Sequence, residues 1–255
     1  DADINYKNIL ITTGGSEALN TTLNCICDPG DEIIILSPYW VSFPESVKLA
    51  GGIPVIVKVD ENLQPDLPAI KKAITSKTKG IVINNPNNPT GIIFDKKLLL
   101  EIGALALEKK FFVISDEAYE DIVFDKELYA SFSNLHSDFH RWTITAKTFS
   151  KTYAMTGFRI GYAIANEEII QSMSNLQGHL HGNNCTFGQY GAIEALNTTE
   201  EELNQMASIF KKRRDFSFAK ISKLIPCVRP ECAFYLFPKV LVILEEGETT
   251  LDFCA

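Results

Sequence analysis

The feature that most constrains this chain is an alternation of short, almost wholly apolar runs with helix-length stretches. β-Branched runs stand at Ile9–Thr12, Glu32–Leu36, Ile53–Val57, Gly80–Ile83, Phe111–Ser115, Thr143–Thr145 and Ile160–Ile164. A strand covered on both faces has no polar side to show, so it reads as a continuous run rather than an alternating one. Helices are expected between them. One spans Ser16–Ile26, with Ser16 as N-cap and Asp28-Pro29-Gly30 as its stop. Another, Asp95–Lys109, starts on an acid and ends on lysines, as the helix dipole prefers. Strands separated by crossover helices predict an α/β fold with a mostly parallel seven-stranded sheet flanked by helices.

After about Ala165 the pattern turns helical, with helices expected over Glu167–Gln177, Phe187–Leu196 and about Thr199–Leu224. Pro226 and Pro230 break the last one, and strand-like runs follow at Ala233–Phe237 and Leu241–Leu244. The expected division is a large domain over residues 1–205, then a connecting helix and part of a smaller α+β domain over residues 206–255.

The chain has 255 residues and a formal net charge of −8, which disfavours a nucleic-acid partner because phosphate backbones demand a positive face. Its six cysteines show no CxxC pair and no disulfide framework. Cys25 and Cys27 read as buried thiols, so a reducing, cytoplasmic setting is expected. No apolar run is long enough to span a bilayer, no signal peptide is recognised, and no metal site is expected.

Five segments carry polar or aromatic residues that a plain sheet does not require. Thr13-Gly14-Gly15-Ser16-Glu17 joins a strand to a helix. Its small residues suit either a tight turn or the approach of backbone amides to a phosphate. It matches neither GxGxxG nor the P-loop pattern. Asn84-Asn85-Pro86-Asn87-Asn88-Pro89-Thr90-Gly91 follows a buried strand, at the end where α/β proteins place ligands. Ser115-Asp116-Glu117-Ala118-Tyr119 ends another strand, and one turn presents Asp116 and Tyr119 together. Thr148-Phe149-Ser150-Lys151 follows a third, with Arg159 eight residues on. Trp40, just past the second strand, is either a core residue or a ring that stacks on a ligand. The basic run Lys211-Lys212-Arg213-Arg214 reads as a solvated helix face.

In this order and spacing, Asn88-Pro89-Thr90-Gly91, Asp116-x-x-Tyr119 and Ser150-Lys151 with Gly157-x-Arg159 resemble the class I/II aminotransferases of the fold-type I pyridoxal-phosphate enzymes. Ser37–Pro44 and Ala154–Tyr162 bring the resemblance closest to the prokaryotic-type aspartate aminotransferases, and it runs from about Ile9 to Phe237. It implies the PLP-transferase fold and pyridoxal 5′-phosphate (PLP) as cofactor. It also implies small-molecule amino acid and 2-oxo acid substrates, and a homodimer.

The roles it implies are specific. Lys151 matches the lysine that carries PLP covalently and moves the substrate proton. Asp116 matches the carboxylate that keeps the pyridine nitrogen protonated, and Asn88 and Tyr119 match the donors to the ring oxygen. Gly14, Gly15, Ser16, Thr148 and Arg159 match the phosphate site, and Trp40 matches the stacking ring. Family members begin before Asp1 and continue past Ala255, so truncation at both ends is expected. The arginine that holds the substrate α-carboxylate would lie in the missing C-terminal part. Gly178–Asn184 departs from the family's Ser/Thr-rich pattern where the distal side chain is read, which leaves His179 and His181 as ligands or as ordinary helix-end histidines. Two rivals stand beside transamination: a C–S lyase of the same fold, and a non-catalytic PLP-binding fragment or regulatory domain.

Overall fold

The computed structural model describes residues 4–245 and 247–254. Seven strands form one sheet: β1 (Ile9–Thr12), β2 (Glu32–Ser37), β3 (Ile53–Lys58), β4 (Thr78–Asn84), β5 (Phe112–Asp116), β6 (Thr143–Thr148) and β7 (Gly161–Ile164). Their spatial order is β1-β7-β6-β5-β4-β2-β3. The pairs within β3-β2-β4-β5-β6 are parallel, while β7 is antiparallel to both β6 and β1. Every expected strand through Ile164 is present, and the reversed β7 is what makes the sheet mostly rather than wholly parallel.

The helices are α1 (Gly14–Ile26), α2 (Ser42–Leu49), α3 (Leu67–Ala73), α4 (Lys96–Lys109), α5 (Phe149–Thr152), α6 (Glu167–Leu180), α7 (Thr186–Ala195) and α8 (Glu200–Ile221), with a short turn of helix at Thr250–Cys254. On β2, Ile33 and Ile35 enter a core shared with Leu19 and Leu23 of α1 and Met173 of α6. Ile34 and Leu36 enter a second core with Ile70 of α3 and Leu99 and Ile102 of α4. Alternate residues of one strand thus feed two cores, which explains its unbroken apolar run. Each fully buried Ile or Leu contributes roughly 1.5–3 kcal/mol, so these layers hold the strand ends in place.

Several expectations are corrected. Ser16 does not cap α1; it lies within the first turn, and the helix starts at Gly14 behind Thr13, which makes no side-chain cap. The Thr13 amide is instead met by the Glu17 carboxylate. The segment after β6 that carries Lys151 forms the short helix α5. Ala233–Phe237 and Leu241–Leu244 are not strands. Their neighbourhood forms only the isolated bridges Val123–Cys232 and Cys227–Pro238, and Val240–Val242 is a 3-10 turn. A strand needs a ladder partner, and none faces these runs among the described residues. Arg214 is not solvated: it donates to the Pro230 carbonyl, pairs with Asp215 and lies over the Phe124 ring at 4.6 Å. Asp95 caps α4 as expected, accepting from Lys97 N at 2.7 Å, and Thr199 with Glu202 forms a capping box on α8.

Candidate functional site

The ends of β4, β5 and β6 lie at one edge of the sheet. Because β7 is reversed, its start lies there too, beside the end of β1, with Thr12 paired to Gly161. Every strand-end segment singled out in the sequence therefore converges on this edge. A cleft of about 290 Å³ opens there. Of the candidate residues, Gly15, Ser16 and Trp40 line it, as do Asn88, Asp116 and Tyr119. Thr148, Lys151 and Arg159 also line it, and Asn84, Ser150, Thr156 and Tyr235 are among its other polar neighbours. Gly14 alone is not on the wall; it sits directly under Arg159.

That contact explains the glycine. Gly14 has φ +75°, and a Cβ there would meet the Arg159 guanidinium at 2.5 Å. Gly161 is equally constrained, since its Cβ would lie 2.6 Å from the Gly14 carbonyl carbon and 2.7 Å from Gly15 N. The turn into α1 and the start of β7 are thus packed backbone on backbone. Arg159 itself adopts a left-handed conformation at φ 55°, which is uncommon for a non-glycine residue and worth about 1 kcal/mol or more of strain. Its guanidinium donates to the Thr156 carbonyl at 3.0 Å and meets no carboxylate among the described residues. Thr148 caps α5, accepting from Ser150 N at 3.2 Å. A cation, a hydroxyl-bearing turn and the amide end of the 13-residue helix α1 therefore converge on one corner, a set suited to a phosphate.

The asparagine-rich loop sorts itself by partner. Asn84 accepts from Asn88 N at 2.7 Å and donates to the Asp116 carbonyl at 3.2 Å. Asn85 accepts from Phe94 N at 2.9 Å, and Asn87 accepts from the Thr90 hydroxyl at 2.7 Å. These three shape the loop. Asn88 makes no side-chain hydrogen bond among the described residues, and its side chain borders the cleft.

Asp116 ends β5 and is 8% exposed. Among the described residues its carboxylate accepts one hydrogen bond, from Ala118 N at 3.2 Å. Burial pushes its pKa up to about 7, with Glu117 adding to the rise and Lys151 opposing it. A buried carboxylate so thinly partnered calls for a cationic or N–H partner from a ligand. Lys151 Nζ lies 5.7 Å from the ring centroids of both Tyr119 and Phe234 and has no carboxylate partner among the described residues. Tyr119 is 3% exposed, its hydroxyl shares a hydrogen bond with that of Tyr235, and burial raises its pKa. Trp40 is half-buried, edge-on to Phe43 with ring centroids 5.4 Å apart, and one side borders the cleft, so it belongs to both core and site.

His181 is exposed and lies 2.9 Å from Glu17, whose carboxylate also accepts from Gln177 at 3.1 Å. It therefore ties the end of α6 to α1, and neither it nor His179 lines the cleft. Sequence reasoning missed Tyr235, which lay inside a run read as a strand, and Glu117, to which it gave no role. Glu117 is 1% exposed and is met by Ser115, Ser131, Tyr129 and the Phe132 amide at 2.8–3.0 Å, with Lys147 at 3.5 Å. Burial disfavours the Lys147 charge, but Glu117 and Glu120 outweigh it and raise its pKa.

A mostly parallel α/β sheet whose strand ends carry an anion-suited corner, a thinly partnered buried carboxylate and a lysine without a carboxylate partner among the described residues defines an α/β protein with a polar ligand cleft. Residues 2–242 match the family Aminotransferase class I and II, and the chain belongs to that family. It is 43% identical over 246 residues to an aspartate aminotransferase of Bacillus subtilis (strain 168), covering 93% of this chain and 62% of the relative. It is 38% identical over 243 residues to a probable aspartate/prephenate aminotransferase of Aquifex aeolicus (strain VF5), covering 92% of this chain and 62% of the relative. The solved structure of an aspartate aminotransferase from Thermotoga maritima superposes with a TM-score of 0.92 at 34% identity, covering 99% of this chain and 65% of that one. The chain thus spans about 62% of the length of these curated relatives. No helix among the described residues is long and apolar enough to cross a membrane.

Proposed function

We propose that this chain is the cofactor-binding part of a PLP-dependent aminotransferase that moves an amino group between an L-amino acid, aspartate or one similar to it, and a 2-oxo acid. The observation that carries this reading is the juxtaposition of the nearly unpartnered buried Asp116 with the unpaired amine of Lys151 in one cleft whose far corner is built for a phosphate. The residues fit PLP. When bound, PLP supplies an electron sink for the pair released when the substrate Cα–H bond breaks.

The chain's own residues divide the remaining work. Lys151 Nζ would anchor the cofactor covalently, and once freed by the substrate amine it would take the proton from the substrate Cα and hand it to the cofactor carbon from which Nζ was released. Asp116 keeps the pyridine nitrogen protonated by supplying the negative charge beside it. Asn88 and Tyr119 donate to the ring oxygen. Gly14, Gly15 and Ser16 offer backbone amides to the phosphate, and Thr148 and Arg159 add a hydroxyl and a charge. Trp40 covers one ring face.

A homodimer is part of the proposal. Phe187, Tyr190 and Ile193 recur every three residues along α7 and are 76%, 69% and 57% exposed, an apolar stripe suited to a second copy of this chain. Helix α8 would carry the chain from the large domain into a smaller one, and five free thiols among the described residues support a reducing, cytoplasmic setting. The test is made on the whole protein loaded with PLP. 15N-labelled L-aspartate is mixed with a 2-oxo acid, and transfer of the label to the new amino acid is expected. Release of ammonia from a sulfur amino acid without transfer would favour the C–S lyase, and no reaction with any amino acid would favour the non-catalytic fragment.

A further inference from the structure

Tyr235 sits in the cleft wall but comes from a segment 116 residues beyond Tyr119, whose hydroxyl it meets. We propose that Tyr235 is a positioning residue that acts through Tyr119, donating its own proton to the Tyr119 oxygen so that the Tyr119 proton is directed into the cleft. The inference rests on the proposed role of Tyr119 as donor to the ring oxygen of PLP.

Each phenol has one proton and two lone pairs, and without a ligand either can donate to the other. An anionic oxygen in the cleft breaks that symmetry. A charge-assisted bond is stronger than a phenol–phenol bond, so Tyr119 turns its proton toward the anion. Its oxygen is then free only to accept, and Tyr235 must donate. Hydrogen bonds arranged head to tail polarise one another, so the Tyr235 proton makes Tyr119 a stronger donor.

The geometry holds Tyr235 in place for this. Glu231 N and Cys232 N both donate to the Gly91 carbonyl, at 2.7 and 3.1 Å, and Ala233 N donates to the Ile122 carbonyl at 2.7 Å. Gly91 has φ +70°, and a Cβ there would lie 2.8 Å from Pro230 Cβ and 3.2 Å from the Tyr235 carbonyl oxygen. The segment carrying Tyr235 is therefore clamped onto the loop that carries Asn88 and the turn that carries Tyr119. The two tyrosine rings meet nearly at right angles, with centroids 5.6 Å apart. The other ionisable groups facing the pair are Asp116, Cys232 and Lys151, all unchanged in the variants below.

The readout is the pH midpoint of the visible absorption band of the PLP-loaded whole protein, for wild type, Tyr119→Phe, Tyr235→Phe and the double variant. Losing a donor leaves an anionic oxygen more basic, so each midpoint moves up. Tyr119→Phe is expected to raise it by about one unit or more, and Tyr235→Phe by about half a unit. In the Tyr119→Phe background, Tyr235→Phe is expected to add nothing, since its effect passes through that hydroxyl. An unchanged midpoint in Tyr235→Phe, or an equal shift with and without Tyr119, overturns the inference. Should Tyr235→Phe not fold, 3-fluorotyrosine at position 235 strengthens the donor and is expected to lower the midpoint; no lowering overturns the inference equally. A wild-type protein that shows no visible band overturns the PLP reading itself.

Discussion

Asp116 and Glu117 are neighbours in sequence and almost equally buried, at 8% and 1% exposed, yet they live in opposite surroundings. Among the described residues Glu117 is surrounded by four hydrogen-bond donors and Lys147, whereas Asp116 has one backbone amide. The same split recurs between the buried Lys147, paired with Glu117 and Glu120, and Lys151, which has no carboxylate partner among the described residues. It recurs again between Asn87, satisfied within its loop, and Asn88, which is not. Glu117, Lys147 and Asn87, off the cleft wall, are completed by protein groups, while Asp116, Lys151 and Asn88, on it, are left short of side-chain partners among the described residues. Buried polar groups are ordinarily satisfied, so a cluster of exceptions marks where a ligand belongs.

Changes on the lining should therefore damage function, and those behind it should damage stability. The largest effect is expected from Lys151→Ala, which should lower amino-group transfer by the PLP-loaded whole protein at least about 10³-fold while leaving its thermal midpoint nearly unchanged. Retained transfer would break the comparison at its centre. Glu117→Ala should do the reverse, removing about 3 kcal/mol or more of stability in denaturant unfolding because its four hydrogen-bond donors lose their acceptor, while Lys147 keeps Glu120.

Asp116→Asn tests the sign of the electrostatics. The folded pKa of Asp116, about 7, lies above the ordinary carboxylate value of 3.8, so folding takes up a proton between them. The PLP-free protein should therefore lose stability as pH rises from about 4 to about 7. The variant has no such charge, so above about pH 7 it should be more stable than wild type by roughly 1–4 kcal/mol, converging below about pH 4. Its affinity for PLP should fall at the same time. Thermal melts across pH, with and without PLP, read both effects. The smallest contrast is between two asparagines. Asn87→Ala should cost about 1–3 kcal/mol of stability, whereas Asn88→Ala should cost under about 0.5 kcal/mol and weaken PLP binding.

The sheet was legible in the sequence because strands covered on both faces leave continuous apolar runs such as Ile33–Leu36, and that pattern has few other causes. Helices α2 and α3 were not, since eight and seven residues are too few to establish a helical period. The failure at Ala233–Phe237 has a different origin: apolar and aromatic content favours a strand, but only a ladder partner makes one. Most candidate site residues were legible because each follows a strand that ends at the same edge. Which amide or carboxylate would be left unpartnered was not, because that depends on Tyr129, Ser131 and Phe132 folding back onto Glu117. Tyr235 was hidden for the same reason, since its partner is 116 residues away.

PLP is expected to attach to Lys151, the amine in the cleft that has no carboxylate partner among the described residues. Reconstituting the purified protein with PLP, recording its visible spectrum, reducing with borohydride and mapping the labelled peptide tests this directly. The expected result is a visible band that borohydride abolishes, with the phosphopyridoxyl label on Lys151. A protein that forms no band, or a label on any other lysine, would contradict it.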